Sequence, residues 1–342
     1  MKIYLDAMGG DNAPQAPAEG AREALERYEG LEIELAGPIE QVKAAVDAAF
    51  QGADPALRAR LVLTDCPEVI TNCEAPVMAV RRKKQSAIVD GMLKLRDGKV
   101  DAFVSAGSTG AVLSGGMFRL GRLRGIDRPA LAPPLPNGKG YFLLIDCGAN
   151  VDCRPEYLHQ FAMMGSAYMQ GMRGIQSPRI GLVNNGAEAE KGCALTKEAY
   201  ALLAADKRLN FVGNVEAREI THDQADVIVC DGFVGNVLLK SIEGTAAYAV
   251  SEMAQVLKRK LPGADADIVD AAAREVMRNY DYNSYGGAYL LGCRKPIEKI
   301  HGAANERTIP YAVGQMRSMI LSGMADKISE QLDAMSRKPV SE

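Results

Sequence analysis

At 342 residues, 47% of them hydrophobic and 24% charged, the chain has an ordinary globular composition and room for one large α/β domain or two modest ones. A formal charge of -3 excludes bulk electrostatic attraction to nucleic acid, and seven Cys without a C-x-x-C pair speak against a disulfide frame or a zinc cage. No signal-peptide core opens the chain and no apolar run reaches the ~18 residues of a spanning helix, so a cytoplasmic protein is expected.

In chain order, β-branched and apolar runs predict strands over 2–7 and 32–37, with helical patterns over 16–28 and 39–50. A strand over 60–65 and a helix over 85–96 follow, then a strand over 102–106 running into a helix over 109–121. Strand 141–147, helix 155–173, strand 179–184 and helix 194–205 continue the alternation. Strands over 211–215 and 226–231 and a long helix over 234–258 complete it. Such alternation predicts a mostly parallel sheet with helices on both faces, and the almost wholly apolar strands fit burial on both sides. No repeat or composition break marks a linker, so one elaborated domain over 1–335 with a tail at 336–342 is expected.

In such sheets ligands sit beyond the carboxyl ends of the strands. Here those ends read "DAMGGDNAP", "SAGSTGA", "DCGANVD", "NNGAEAEKG" and "CDGFVGNVLLK". One Gly-rich turn is ordinary turn chemistry, because Gly supplies positive φ. Several at one edge let backbone N–H groups and helix N-termini approach an anion, and phosphate is the anion most readily held that way. The 105–110 loop carries no Lys after its last Gly and no G-x-G-x-x-G, so neither a P-loop nor a dinucleotide loop is present there.

These segments, together with "VRRKKQSAIVDGMLKLRDG" and "YGGAYLLG", resemble the acyl-acyl-carrier-protein:phosphate acyltransferases of bacterial phospholipid synthesis, the PlsX family, in colinear order from Met1 to about residue 330. The resemblance implies a Rossmann-like three-layer α/β/α sandwich, akin to phosphotransacetylases and isopropylmalate dehydrogenases, with a protruding helical segment. It implies transfer of a fatty acyl group from the thioester of an acyl carrier protein to inorganic phosphate, giving acyl phosphate. It further implies a homodimer without cofactor or metal and transient association with the anionic inner face of the membrane. A membrane-bound glycerol-3-phosphate acyltransferase is then the downstream user.

The chemistry agrees. Phosphate is already anionic at neutral pH, so the site must orient it and stabilise the oxyanion formed from the thioester carbonyl. That calls for donors and cations, and the chain, with three His and no G-x-S-x-G elbow, lacks the usual hydrolytic devices. For phosphate contact the candidates are Ser105, Gly107, Ser108, Thr109, Gly110 and Gly232; for catalysis, Lys84, Asn236 and His301. Lys84 is selected from the basic run 80–86, read as a helix N-terminus whose four cations oppose the dipole unless an anion is near. His301 has a structural core reading beside the catalytic one. Arg119, Arg122 and Arg124 could dock an acidic carrier or form a solvated face. The apolar stripe through Ile242, Ala246, Val250, Met253 and Leu257, followed by Lys258, Arg259 and Lys260, has a core or dimer reading and a lipid-contact reading.

Ser108 stands where the family often has Asn, Tyr289 where it has Pro, and Ala303 and Ala304 where hydroxyls are frequent. The nearest alternative is a coenzyme A-dependent phosphate acetyl- or butyryltransferase of the same reaction type; from other classes come a nicotinamide-dependent decarboxylating dehydrogenase and a non-enzymatic phosphate-binding module. The dehydrogenase would need a carboxylate cluster for a divalent metal, and the sequence offers none.

Overall fold

A computed structural model of the chain describes residues 1–261, 265–280, 286–323, 326–327 and 329–330. The first part contains β1 (Lys2–Asp6), α1 (Gln15–Arg27), β2 (Glu32–Gly37), α2 (Ile39–Ala49), α3 (Pro55–Ala59), β3 (Leu61–Asp65), α4 (Pro76–Arg82), α5 (Ala87–Arg96) and β4 (Ala102–Ser105). Next come α6 (Thr109–Gly115), a π-helical turn (Gly116–Leu120), β5 (Ala130–Ala132), β6 (Pro134–Pro136), β7 (Tyr141–Ile145), α7 (Pro155–Arg173), β8 (Arg179–Asn184) and α8 (Ala194–Ala205). The last part holds β9 (Asn210–Glu216), β10 (Val227–Val229), α9 (Gly232–Lys260), α10 (Ala266–Tyr280), β11 (Ala288–Leu291), β12 (Ile297–Lys299) and α11 (Thr308–Leu321).

The expected α/β alternation is present, divided between two sheets among the described residues. The larger has the order β3-β2-β1-β4-β12-β11-β5, the smaller β6-β7-β10-β8-β9. Pairing is parallel except where β11 meets β12 and β5 and where β6 meets β7. The central strands are covered on both faces, so Ile3, Tyr4, Leu5, Phe103 and Val104 are all buried. Helices α2 and α11 each pack on α1, and all three on the larger sheet; α5 packs on β1 and β4. The two sheets meet through β5 and β7, where the Leu144 N–H donates to Pro133 and the Cys147 N–H to Leu131.

The basic run 80–86 departs from expectation. Pro76 starts α4, which places Arg81 and Arg82 in that helix's last turn and Lys83 at its C-cap. There the cations complement the dipole instead of opposing it, and no ligand is needed to explain them. The next helix, α5, is capped separately by the Ser86 hydroxyl, which accepts from the Val89 N–H. Tyr289 lies inside β11, buried with its ring 5.1 Å from that of Tyr168, and not in a turn. The tail assigned to 336–342 lies outside the described residues.

Helix α9 approaches the end of β7 so closely that only Gly fits at two positions. A Cβ on Gly232 would lie 2.7 Å from the Asn150 carbonyl oxygen, and one on Gly235 would collide with the carbonyl oxygen of Asp146. Gly235→Ala is therefore expected to lower the melting temperature despite the better helix propensity of Ala, by on the order of 1–3 kcal/mol of overpacking. Gly244→Ala in the same helix, where nothing lies within 4 Å, should raise stability by about 0.5–1 kcal/mol. Equal effects of the two substitutions in thermal melts would contradict this packing.

Candidate anion cleft

The end of β7 is organised around one buried carboxylate. Asp146 accepts from the Leu131 N–H at 2.9 Å, the Ala149 N–H at 3.2 Å and the Asn150 N–H at 2.6 Å, with the Asn150 side-chain amide at 2.9 Å. Burial raises its pKa to about 6, against the lowering effect of those donors. Asp231 caps α9 by accepting from Val234 at 2.9 Å, and Asp6 accepts from Met8 at 3.0 Å. These three carboxylates hold loops in place, as Asp beside Gly commonly does.

Between the sheet ends lies a cleft of about 360 Å³. The loop after β4 supplies Ala106, Gly107 and Thr109; the loop after β7 supplies Cys147 and Gly148; α9 supplies Asn236, Lys240 and Glu243; and the end of β12 supplies Lys299, Ile300, His301 and Gly302. Asn236, Lys240 and Glu243 share one helical face by their four- and three-residue spacing.

The candidate residues separate. Gly107, Thr109, Asn236 and His301 line the cleft together. Ser105 lies just behind it, fully buried, donating to Asp6 at 2.7 Å and accepting from the Gly107 N–H at 2.9 Å, so its hydroxyl shapes the loop. Ser108 is the residue before α6 and makes no side-chain cap bond. Gly110 faces Pro76, where a Cβ would come within 2.5 Å of that ring. Gly232 lies behind the cleft, its N–H donating to Asn150 at 2.7 Å. His301 accepts from the Ala303 N–H at 3.1 Å through Nδ1.

Lys84, expected to face inward, is exposed in the turn between α4 and α5 and does not line the cleft. Its neighbour Lys83 is engaged with Glu74 at 2.7 Å. Arg122 and Arg124 are exposed together, whereas Arg119 turns inward and donates to the Val80 carbonyl at 2.9 Å.

The cations at the cleft are instead Lys240 and Lys299. Lys240 was readable as the residue one helical turn after Asn236; Lys299 was not, because only the parallel pairing of β12 with β4 brings it beside Ser105. Lys299 Nζ donates to the carbonyls of Ala106, at 3.3 Å, and Ile300. Burial lowers its pKa to about 8, while Asp6 and Asp11 act to raise it. Asp6 is shifted the other way, raised by burial against the Ser105 hydrogen bond. Among the described residues no group of three or more His, Cys, Asp or Glu is arranged to hold a metal ion.

A Gly-rich loop, a helix N-terminus and two lysines line one cleft of an α/β protein. The fold is that of the phosphotransacylases: the chain superposes on a phosphotransacetylase from Streptococcus pyogenes with a TM-score of 0.56 at 17% identity, covering 94% of each chain. A branched-chain phosphotransacylase from Enterococcus faecalis V583 superposes with a TM-score of 0.56 at 12% identity, covering 96% of this chain and 99% of the other. Residues 1–327 match the model of the family described as "Fatty acid synthesis protein", and the chain belongs to that family. A phosphate acyltransferase from Bacillus cereus (strain B4264) is 43% identical over 98% of this chain and 99% of its own length. One from Clostridium acetobutylicum is 41% identical over 98% of this chain and 100% of its own.

The low pKa of Lys299 sets a pH dependence. Its charge is present below about pH 8 and lost above it. Phosphate affinity measured by calorimetry should therefore fall as pH rises through about 8, and Lys299→Arg should hold affinity to higher pH. The same pH dependence in both proteins would remove Lys299 from the anion site.

Proposed function

We propose that this protein transfers a fatty acyl group from the thioester of an acyl carrier protein to inorganic phosphate, giving acyl phosphate for glycerophospholipid synthesis. The observation that carries this reading is the convergence of Gly107, Thr109, Asn236, Lys240 and Lys299 on one cleft, in a chain whose relatives are phosphate acyltransferases. Phosphate sits against the loop N–H groups and the Thr109 hydroxyl, and Asn236 and His301 lie beside the thioester carbonyl. The lysines offset the charge that develops on the carbonyl oxygen in the transition state.

The carrier docks through Arg122 and Arg124, which are exposed and carry no ion pair with an Asp or Glu side chain among the described residues. Arg119, turned inward, supports the segment without touching the carrier. The protein works as a homodimer and touches anionic lipid through α9 and α10, where Tyr248, Met253, Leu257, Leu261 and Ile268 are exposed beside Arg259 and Lys260. Lys258 is committed to Asp270 at 2.6 Å. That surface delivers the amphipathic product to a membrane-bound glycerol-3-phosphate acyltransferase. No helix among the described residues is long and apolar enough to cross a membrane.

The test is acyl phosphate formation from a long-chain acyl carrier protein and labelled phosphate. Thr109→Val keeps the shape and removes one donor to a charged ligand, a loss of about 1.5–3 kcal/mol, so the KM for phosphate should rise about tenfold or more. Lys84→Met should leave turnover within about twofold of wild type, since Lys84 lies outside the cleft. Unchanged phosphate kinetics in Thr109→Val would displace the anion from this loop. Arg122→Glu with Arg124→Glu should slow carrier-dependent turnover and flatten its salt dependence, chiefly through the association rate. Identical salt slopes would return those arginines to the solvated surface.

A further inference from the structure

We infer that Lys299 is the proton donor to the carrier thiolate as it leaves the acyl group. This rests on the acyl-transfer reading above. The geometry begins with β12, whose adjacent residues point to opposite faces: Glu298 is fully buried on one side and Lys299 reaches the cleft on the other. Its ammonium has three N–H groups. Two have acceptors, the carbonyls of Ala106 and Ile300, and no further hydrogen-bond acceptor is found among the described residues. One N–H is thus left for a ligand in the cleft. None of the ion pairs among the described residues involves Lys299, so no carboxylate holds its proton at close range.

The charged and titratable groups facing it come from every side of the cleft. Asp6 of β1 and Asp11 beyond it act on Lys299 electrostatically, α9 presents Lys240 and Glu243, and His301 is two residues on. Of the two cleft lysines Lys240 is exposed and Lys299 half-buried, so Lys299 is the more stripped of water. Its pKa, lowered to about 8, lies close to the ~8.5 of an unperturbed thiol. Transfer from a donor of matched pKa is nearly thermoneutral, which is where general-acid catalysis is effective.

The step balances. An oxygen of hydrogenphosphate forms a bond to the thioester carbonyl carbon, and the carbon–sulfur bond breaks with its electron pair on sulfur. The thiolate takes a proton from the Lys299 ammonium. The resulting amine recovers the proton carried by the phosphate oxygen, which leaves an acyl phosphate dianion, a neutral thiol and Lys299 again as ammonium.

The experiment compares three thioesters of one fatty acid with the full-length protein and inorganic phosphate: those of acyl carrier protein, pantetheine and thiophenol. Thiophenolate is a weak base and needs no proton to leave. Lys299→Met should reduce turnover of the carrier and pantetheine esters by about 10²–10⁴-fold, and that of the thiophenyl ester at least tenfold less. Lys299→Arg keeps the positive charge but does not release its proton, so it should show the same split between esters with a phosphate KM near wild type. The arginine variant keeps the question answerable if the methionine variant fails to fold. An equal loss on all three esters would make Lys299 a phosphate cation only and overturn the proposal, as would no loss on any. Failure of the wild-type protein to form acyl phosphate from any ester would remove the acyl-transfer reading itself, and the proposal with it.

Discussion

The carboxylate of Asp146 holds together everything that makes the cleft. It is fully buried at the end of β7, and its oxygens take N–H groups from β5 of the larger sheet and from the Ala149–Asn150 turn. One side chain thereby fixes the join between two sheets and the loop that follows. An unsatisfied buried carboxylate would cost several kcal/mol, so the surrounding backbone is constrained to keep all four donors in place. The same loop then receives α9, which can come close only because residues 232 and 235 have no side chain. Shifting that contact by the size of a methyl group would swing Asn236 and Lys240 away from the loop after β4.

Charge in the cleft is managed by burial. Asp6 is pushed toward its neutral form and Lys299 toward its neutral form, each by desolvation, and each partly restrained by the other's field. A positively charged group that is not locked into an ion pair remains available to an arriving anion. Lys2 and Lys94 show the contrast: both close on Glu34, at 2.7 and 2.5 Å, and are thereby spent on structure.

Much of the fold was readable because long parallel strands and amphipathic helices have strong periods, and β1, β2, β4, β7 and β8 lie within a residue or two of expectation. The elements that were not read are short or break the pattern. Strands β5 and β6 are three residues each, and β12 reads Ile-Glu-Lys, two charges in a place where burial was not foreseeable. Helix α4 carries its start signal in Ala75–Pro76, which puts the basic run at a helix end and not, as the run alone suggests, at a helix start. For the candidate cleft, the loop rich in Gly, Ser and Thr after β4 was legible, and Gly107 and Thr109 line it. The cations did not announce themselves, since Lys299 is separated from the loop it serves by more than 190 residues and reaches it through one parallel strand pairing.

The central claim is that one cleft between the two sheet ends is the phosphate site. A crystal structure of the protein with phosphate or vanadate bound tests it most directly. The oxyanion is expected within hydrogen-bond distance of the Thr109 N–H and hydroxyl and of Lys299 Nζ, with Asn236 beside it. An anion found instead in the hollow lined by Arg122 and Arg294, with this cleft holding only water, would contradict it.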